Sequence, residues 1–304
     1  MTISVAQACD WFDLDAADTA EVVEAAQGIA RDPGLARQRD ELAGRVRQQM
    51  EVPRGFGLVD LPERFDPLRD RDLPATERWF YVVVMAGVLA DTLAAHARRG
   101  IDPDISRATM ADLGRHVRIA YRSYGLRCFE RQVWLQAHLR GVLFDQGRLQ
   151  LNLHTLTQPA ELLRAAGLPA TTGSVVLDTH IPESGPLTPE RVDESLQRAA
   201  DFYTRHFPEH GPYRVAVCDS WLLDPQLATM LPGSNIARFQ QRFTLLDQSR
   251  PCDQAALDFV FRAPGTDRSR LPRDTALQRG MLDLLDAGGH IEARVGWLPL
   301  PPPS

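Results

Sequence analysis

The chain has 304 residues, of which 44% are hydrophobic and 24% charged, and its formal net charge at pH 7 is −6. This composition is typical of a folded globular protein, and without a basic stripe it gives no reason to expect nucleic acid as a partner. All 34 basic residues are arginine, which excludes a lysine Schiff base and a Walker A phosphate loop.

The N-terminal stretch MTISVAQACDWFDLDAAD is acidic and has no basic segment before an apolar core, so we expect no secretory signal and a cytoplasmic protein. The longest apolar run, 81–90, is too short to cross a membrane and predicts a buried helix. No membrane partner is expected. The cysteines form no CxxC pair, which predicts reduced thiols and no zinc ribbon. They are Cys9, Cys128, Cys218 and Cys252.

Helical periodicity dominates the first part of the chain, from Ala16 to about Ala137. Apolar residues recur there at three- and four-residue spacing. The proline- and aspartate-rich segment 51–74 interrupts the pattern and predicts a long surface connection. We therefore predict a helical N-terminal domain over 1–137. The segments with this periodicity are 16–30, 33–50, 75–100 and 106–125.

After about residue 138 the pattern alternates between strands and helices. A β-hairpin is predicted over 141–153, where Leu149, Leu151 and Leu153 alternate with polar residues after an Asp-Gln-Gly turn. The order of elements predicts an α/β fold in which helices flank a mixed β-sheet, so the second domain is assigned to 138–304. The further strands are expected at 174–178, 213–222, 243–247, 257–262 and 290–298, and the helices at 189–207, 225–243 and 275–287.

Four sequence words add a family resemblance to this pattern. They are GRLQL at 147–151, HIPESGPL at 180–187, CDSWLLDP at 218–225 and SNIARFQQRF at 234–243. With the order of elements, they resemble the two-domain acyltransferase-like family, in which a helical N-acyltransferase N-terminal domain precedes a GNAT-like domain. The resemblance implies transfer of an acyl group from a thioester such as acyl-CoA to an amine of a small molecule or peptide, without a metal.

In GNAT folds the helix after a central strand holds the pyrophosphate of coenzyme A on the N–H groups of its first turn. The matching unit here is 175–207, where Thr188 is a suitable N-cap and Pro189 a suitable first helical residue. The region around 234–243 would lie near the pantetheine arm, and Arg238 would face either phosphate or solvent. The donor-binding candidates by resemblance are Gly185, Leu187, Thr188, Ser234, Asn235 and Arg238.

The candidate catalytic residues follow two strands. His180 could act as general base, since an imidazole has an unperturbed pKa of about 6.5. The alternative is a structural histidine that holds the loop by hydrogen bonding. Glu183 is a second candidate base, or else a solvated carboxylate. Asp219 and Ser220 are polar at the end of an apolar strand, which indicates a site or a structural hydrogen bond.

The loop after the central strand leaves alternatives open for the donor. The usual superfamily loop is Arg/Gln-x-x-Gly-x-Gly/Ala, whereas this one has a single glycine, three prolines nearby and acidic residues at the start of the helix. A donor tethered to an acyl carrier protein is therefore one alternative. A non-catalytic binding or scaffold protein that keeps the GNAT-like fold is the other.

Overall fold

A computed structural model describes residues 3–53, 65–67, 70–129, 131–263 and 266–304 of the chain. The chain divides into two compact units, Met1–Asp145 and Gln146–Ser304. Most of the connection predicted over 51–74 lies outside the described residues. The helices described in the first unit are α1 (Val5–Trp11), α2 (Ala16–Arg31), α3 (Pro33–Gln48), α4 (Ala75–Arg78), α5 (Phe80–Arg98), α6 (Pro103–Met110), α7 (Asp112–Tyr124) and α8 (Gln132–Leu139).

Short side chains fix where these helices start. Asp15 caps α2 by accepting a hydrogen bond from the Asp18 N–H at 2.7 Å, and Asp32 caps α3 with a proline in the first turn. The helix predicted over 75–100 is interrupted at Trp79. Capping residues therefore predict where these helices start. The apolar periodicity, in contrast, does not predict the break at Trp79.

Helix α5 is the centre of the first unit's core, with an almost continuous run of buried residues from Phe80 to Leu89. Among the described residues it is also the one helix long and apolar enough to cross a membrane, but 67% of that window is buried inside the protein. The buried helix predicted at 81–90 is therefore confirmed. The cytoplasmic location stays a prediction.

The second unit contains a mixed sheet. Two strands are present where the hairpin was predicted over 141–153. They are β1 (Leu143–Asp145), at the end of the first unit, and β2 (Gln150–Thr155), at the start of the second. Within the second unit the strands follow the order β2-β3-β4-β6-β5, so the last strand is inserted between the two before it. The remaining strands are β3 (Val175–His180), β4 (Val215–Ser220), β5 (Thr244–Pro251) and β6 (Glu292–Pro299).

One predicted strand is wrong. The apolar run at 257–262 belongs to a helix, because Ala256, Phe259 and Val260 have helical spacing and pack into one apolar cluster. A short apolar run does not distinguish a strand from a helix by itself. The helices of the second unit are α9 (Ala160–Ala165), α10 (Pro189–His206), α11 (Pro225–Met230), α12 (Asn235–Gln240), α13 (Asp253–Phe261) and α14 (Ala276–Asp286).

The sheet opens between its two parallel strands. Strand β3 pairs with β2 over six residues and β4 pairs with β6 over six, but β3 and β4 share only two registered pairs. Those pairs are Leu177 with Ala216 and Asp178 with Val217. Beyond them no pair is registered between these fully described strands. A gap therefore begins beside Thr179, at the carboxyl end of β3.

Candidate functional site

Polar residues collect on one face of the sheet beside this gap. Asp178 and His180 share a face of β3 because side chains alternate along a strand. Asn152 is the register partner of Asp178 on β2, and Asp219 follows the partner of Asp178 on β4 by two residues. The lower part of the same face is apolar, with Val176 in a buried cluster. The polar residues thus stand at the open end of the sheet.

Asp178 is a carboxylic acid with little access to water. Its residue is 4% exposed, and burial, reinforced by the charge of Asp219, raises its pKa to about 8. Desolvation disfavours the ionised form of a carboxyl group, so at pH 7 the protonated acid predominates. The site therefore holds a neutral carboxylic acid two residues before His180.

His180 is held from its Nε2 side. Nε2 forms a short hydrogen bond with Asn152 Oδ1 and lies 3.6 Å from Asp178 Oδ2. The Asn152 amide is itself fixed, since its Nδ2 donates to the Leu153 carbonyl at 2.8 Å. The histidine side chain is 13% exposed and therefore largely buried.

The two other candidates on β4 have partners. Arg250 Nη1 donates to Asp219 Oδ1 at 2.8 Å and to Oδ2 at 3.0 Å. Ser220 caps the short 3₁₀ turn that follows the strand by accepting from the Leu222 N–H at 3.1 Å. Burial raises the pKa of the Cys218 thiol well above its usual value, which opposes a nucleophilic role. Asp219 is the β4 residue that faces the polar cluster.

The loop after β3 is held by arginines. Arg148 donates to the Pro182 carbonyl at 2.9 Å and to the Pro186 carbonyl at 3.2 Å. Arg262 Nη2 lies 2.7 Å from Glu183 Oε2. Gly185 has φ +105°, a conformation that favours glycine. The Glu183 carboxylate is therefore bound to a guanidinium, and we assign it a role in holding the loop.

The start of α10 lies at the end of this loop. Thr188 is the N-cap residue, as predicted, but its side chain makes no capping hydrogen bond. The first N–H groups of a helix have no intrahelical acceptor, so those of α10 are not satisfied by this hydroxyl. Arg242 forms an ion pair with Asp193 and donates to the Pro189 carbonyl at 3.2 Å. One of the acidic residues at the start of this helix is thus neutralised by an arginine.

Thr179 and Leu187 lie in the same region and are both buried, with Thr179 3% exposed. Thr179 Oγ1 has no hydrogen-bond partner among the described residues. A buried hydroxyl without a partner costs free energy and requires an explanation. It points to the face of β3 opposite Asp178 and His180, at the point where the strands separate.

The start of α12 is occupied by a conventional cap. Ser234 accepts from the Ala237 N–H at 3.1 Å, and Asn235 is the first, partly buried residue of the helix. Arg238 is exposed and lies in the last turn of α12, which ends at Gln240. Ser234 therefore has the structural role that its residue type suggests.

Several site residues were missed at the level of the sequence. Asn152, Asp178 and Arg148 have the sequence context of ordinary strand or hairpin residues. A polar residue inside an apolar strand, such as the aspartate in VVLDTH, was the available signal. Their roles depend on the pairing of β2 with β3, which a single sequence does not specify.

Taken together, an inserted last strand, separated parallel strands and an uncapped helix start define a GNAT-like acyltransferase sheet. Family models agree. Residues 4–141 match the N-acyltransferase N-terminal domain, and residues 143–298 match the GNAT-like C-terminal domain. The chain belongs to this two-domain N-acyltransferase family, which confirms the family, fold class and acyltransferase activity predicted from the sequence.

Solved structures support this assignment. The chain is similar to an acyltransferase in complex with decanoyl-CoA and teicoplanin, with 35% identity and a TM-score of 0.81. It is 34% identical to an acyltransferase bound to CoA and 10C-teicoplanin and to an acyltransferase mutant bound to octanoyl-CoA, each with a TM-score of 0.81. Each match covers 96% of this chain and 86% of the other. No curated protein gives a significant match.

Proposed function

We propose that this protein transfers an acyl group from acyl-coenzyme A to an amine on a teicoplanin-like glycopeptide. The observation that carries the proposal is the gap between β3 and β4 beside an uncapped helix start. GNAT-like folds need both features, because the gap admits the thioester and the helix start binds the pyrophosphate. The similar acyltransferases were solved with octanoyl- and decanoyl-CoA, so we propose a medium-length acyl chain.

The residues around the gap fit this donor. First-turn N–H groups of α10 and the exposed Arg238 supply hydrogen bonds and positive charge for phosphates. The buried Thr179 hydroxyl would be satisfied by a polar group of the pantetheine arm. A groove of 510 Å³ also runs beside α10, lined in part by Leu196, Arg242 and Leu298, and gives space for part of the donor.

The chemistry needs a base for the acceptor amine. His180 lies at the end of β3 beside the gap, and its imidazole can remove a proton from the acceptor ammonium. The amine nitrogen then attacks the thioester carbonyl carbon and forms the C–N bond. The C–S bond breaks, and the nitrogen loses its second proton to the departing coenzyme A thiolate. Asp219 forms an ion pair with Arg250. This pair would stabilise the charges on the polar face of the sheet, which the acceptor approaches.

Titration of the purified full chain with decanoyl-CoA and acetyl-CoA by calorimetry tests the donor. We expect tighter binding of decanoyl-CoA. If neither thioester produced heat on titration, coenzyme A would not be the donor. Nothing in the similar structures supports an acyl carrier protein, which is therefore not proposed.

Mass spectrometry tests the transfer itself. With decanoyl-CoA, we expect teicoplanin or its deacylated core to gain one acyl group only when the protein is present. Donor binding without transfer to any amine in a glycopeptide and aminosugar panel would favour the non-catalytic alternative.

A further inference from the structure

Asn152 is the residue that contacts the Nε2 edge of His180. In the antiparallel register Asn152 is opposite Asp178, and its side chain reaches diagonally to His180. Its Nδ2 group donates to the Leu153 carbonyl at 2.8 Å. This bond fixes the amide orientation, because a carbonyl accepts and does not donate. The atom directed at His180 is therefore Oδ1.

An amide oxygen can only accept, so the bond to His180 requires a proton on Nε2. A neutral imidazole carries one N–H and one lone pair. We propose that Asn152 is a positioning residue that fixes neutral His180 as the Nε2–H tautomer, so that Nδ1 receives the proton of the acceptor amine. This inference rests on the proposed acyl transfer for its catalytic part, while the tautomer itself is independent of any activity.

The ionisable neighbours in the second unit are compatible with this tautomer. Asp178 lies 3.6 Å from the same Nε2, and as a buried, predominantly protonated acid at pH 7 it does not compete as a strong acceptor. His154 lies on the same face of β2, and burial lowers its pKa. The charge of Asp219 is paired with Arg250. The Asn152 amide is thus a polar group in direct hydrogen-bond contact with Nε2.

The proton balance of the step follows from this arrangement. An N–H bond of the acceptor ammonium breaks and the proton binds Nδ1, which gives an imidazolium with both nitrogens protonated. Nε2–H keeps its bond to Asn152 throughout. The freed amine lone pair attacks the thioester carbonyl carbon and the C–S bond breaks. The nitrogen loses its second proton to the departing thiolate, and the imidazolium returns the first proton to solvent. The products are therefore a neutral amide, coenzyme A thiol and one proton in solvent.

Nuclear magnetic resonance tests the tautomer without any substrate. The full chain is labelled with nitrogen-15 histidine, and long-range proton–nitrogen spectra are recorded at a pH where His180 is neutral. The His180 signals are those lost in His180→Gln. We expect a pyrrole-type Nε2 and a pyridine-type Nδ1. A pyrrole-type Nδ1 would overturn the proposal, whether or not the protein transfers acyl groups.

Variants of Asn152 test its proposed role in catalysis, in the same acyl-transfer assay as the wild type. Asn152→Leu removes the acceptor at similar size, and we expect kcat to fall about tenfold or more with the KM for acyl-CoA little changed. Asn152→Asp keeps an acceptor and adds negative charge, so it should restore much of kcat and move the acid limb of the pH profile to higher pH.

Thr155→Val is the matched control at the end of the same strand, and we expect it to leave kcat and the pH profile as in the wild type. If both Asn152 variants kept the wild-type kcat and pH profile, the positioning role would be wrong. If the wild type itself transferred no acyl group, the proposed function would fail while the resonance result still decided the tautomer.

Discussion

Asp178 and His180 lie on one face of β3, with Asp178 Oδ2 3.6 Å from His180 Nε2 at the point where the sheet opens. One group is a buried acid that favours its proton, and the other is a partly exposed base. This pairing places a proton acceptor at the gap without placing a carboxylate charge beside it at neutral pH. Removal of either side chain should have a different, measurable consequence.

His180→Gln should lower kcat by about 10² to 10⁴-fold, the usual contribution of a general base. Glutamine keeps a polar group of similar reach, so we expect little change in the KM for acyl-CoA or in the unfolding temperature. Steady-state kinetics and thermal unfolding provide the measurements. If the variant instead lost its fold, and its remaining activity were proportional to the amount of folded protein, His180 would be a structural residue.

Asp178→Asn tests the buried acid through stability. The folded-state pKa of Asp178 is raised from 3.8 to about 8, so the folded state binds more protons than the unfolded state between these values. Its contribution to stability is present below about pH 4 and is lost as the pH rises towards 8. Urea unfolding should therefore find the variant increasingly more stable than the wild type with rising pH, by a few kcal/mol at about pH 8.

A difference between these two proteins that does not change between pH 5 and 8 would contradict this assignment. Asp219→Asn is the companion variant. The charge of Asp219 contributes to the raised pKa of Asp178. Removal of that charge should therefore lower the pKa of Asp178, so that the loss of stability with rising pH ends at a lower pH.

Thr179→Val should separate binding from stability. Valine has the shape of threonine without the buried, unpartnered hydroxyl, so the free energy of unfolding should rise by about 1 kcal/mol. Affinity for acyl-CoA should fall several-fold, because the hydroxyl is proposed to bind the pantetheine arm. Thermal unfolding with and without decanoyl-CoA measures both. Equal or tighter binding by the variant would remove Thr179 from the donor site.

Arg238→Ala should weaken acyl-CoA binding about three- to tenfold and reduce its dependence on salt, because an exposed guanidinium near phosphate acts through screened electrostatics. Arg205→Ala is the matched control, since Arg205 is an exposed arginine near the far end of α10. Calorimetric titration at two salt concentrations compares them. Equal losses in both variants would indicate a general charge effect.

Asp112→Ala should destabilise the helical unit. Asp112 is 1% exposed and accepts from His138 Nε2 at 2.8 Å. Burial acts to raise the pKa of Asp112, but hydrogen bonding and charge from His138 lower it well below its usual range. Loss of one member of a buried pair costs about 3 to 5 kcal/mol. Urea unfolding measures this, and a loss below about 1 kcal/mol would contradict it.

The sequence determined most of the local structure and the family. Helix starts follow from side chains such as Asp15 and Asp32, and the unit from β3 to α10 follows from its alternation and its later helical stripe. His180 was identified from its position after an apolar strand. Such signals are local, because capping and periodicity depend on residues only a few positions apart.

The tertiary structure decided which residues share the site. Asn152 precedes His180 by 28 positions and contacts it only through the β2–β3 register. The raised pKa of Asp178 depends on burial and on Asp219 from another strand, and the ion pair of Glu183 with Arg262 spans 79 positions. Strand pairing and burial arise from contacts between distant segments, so no periodicity within one segment specifies them.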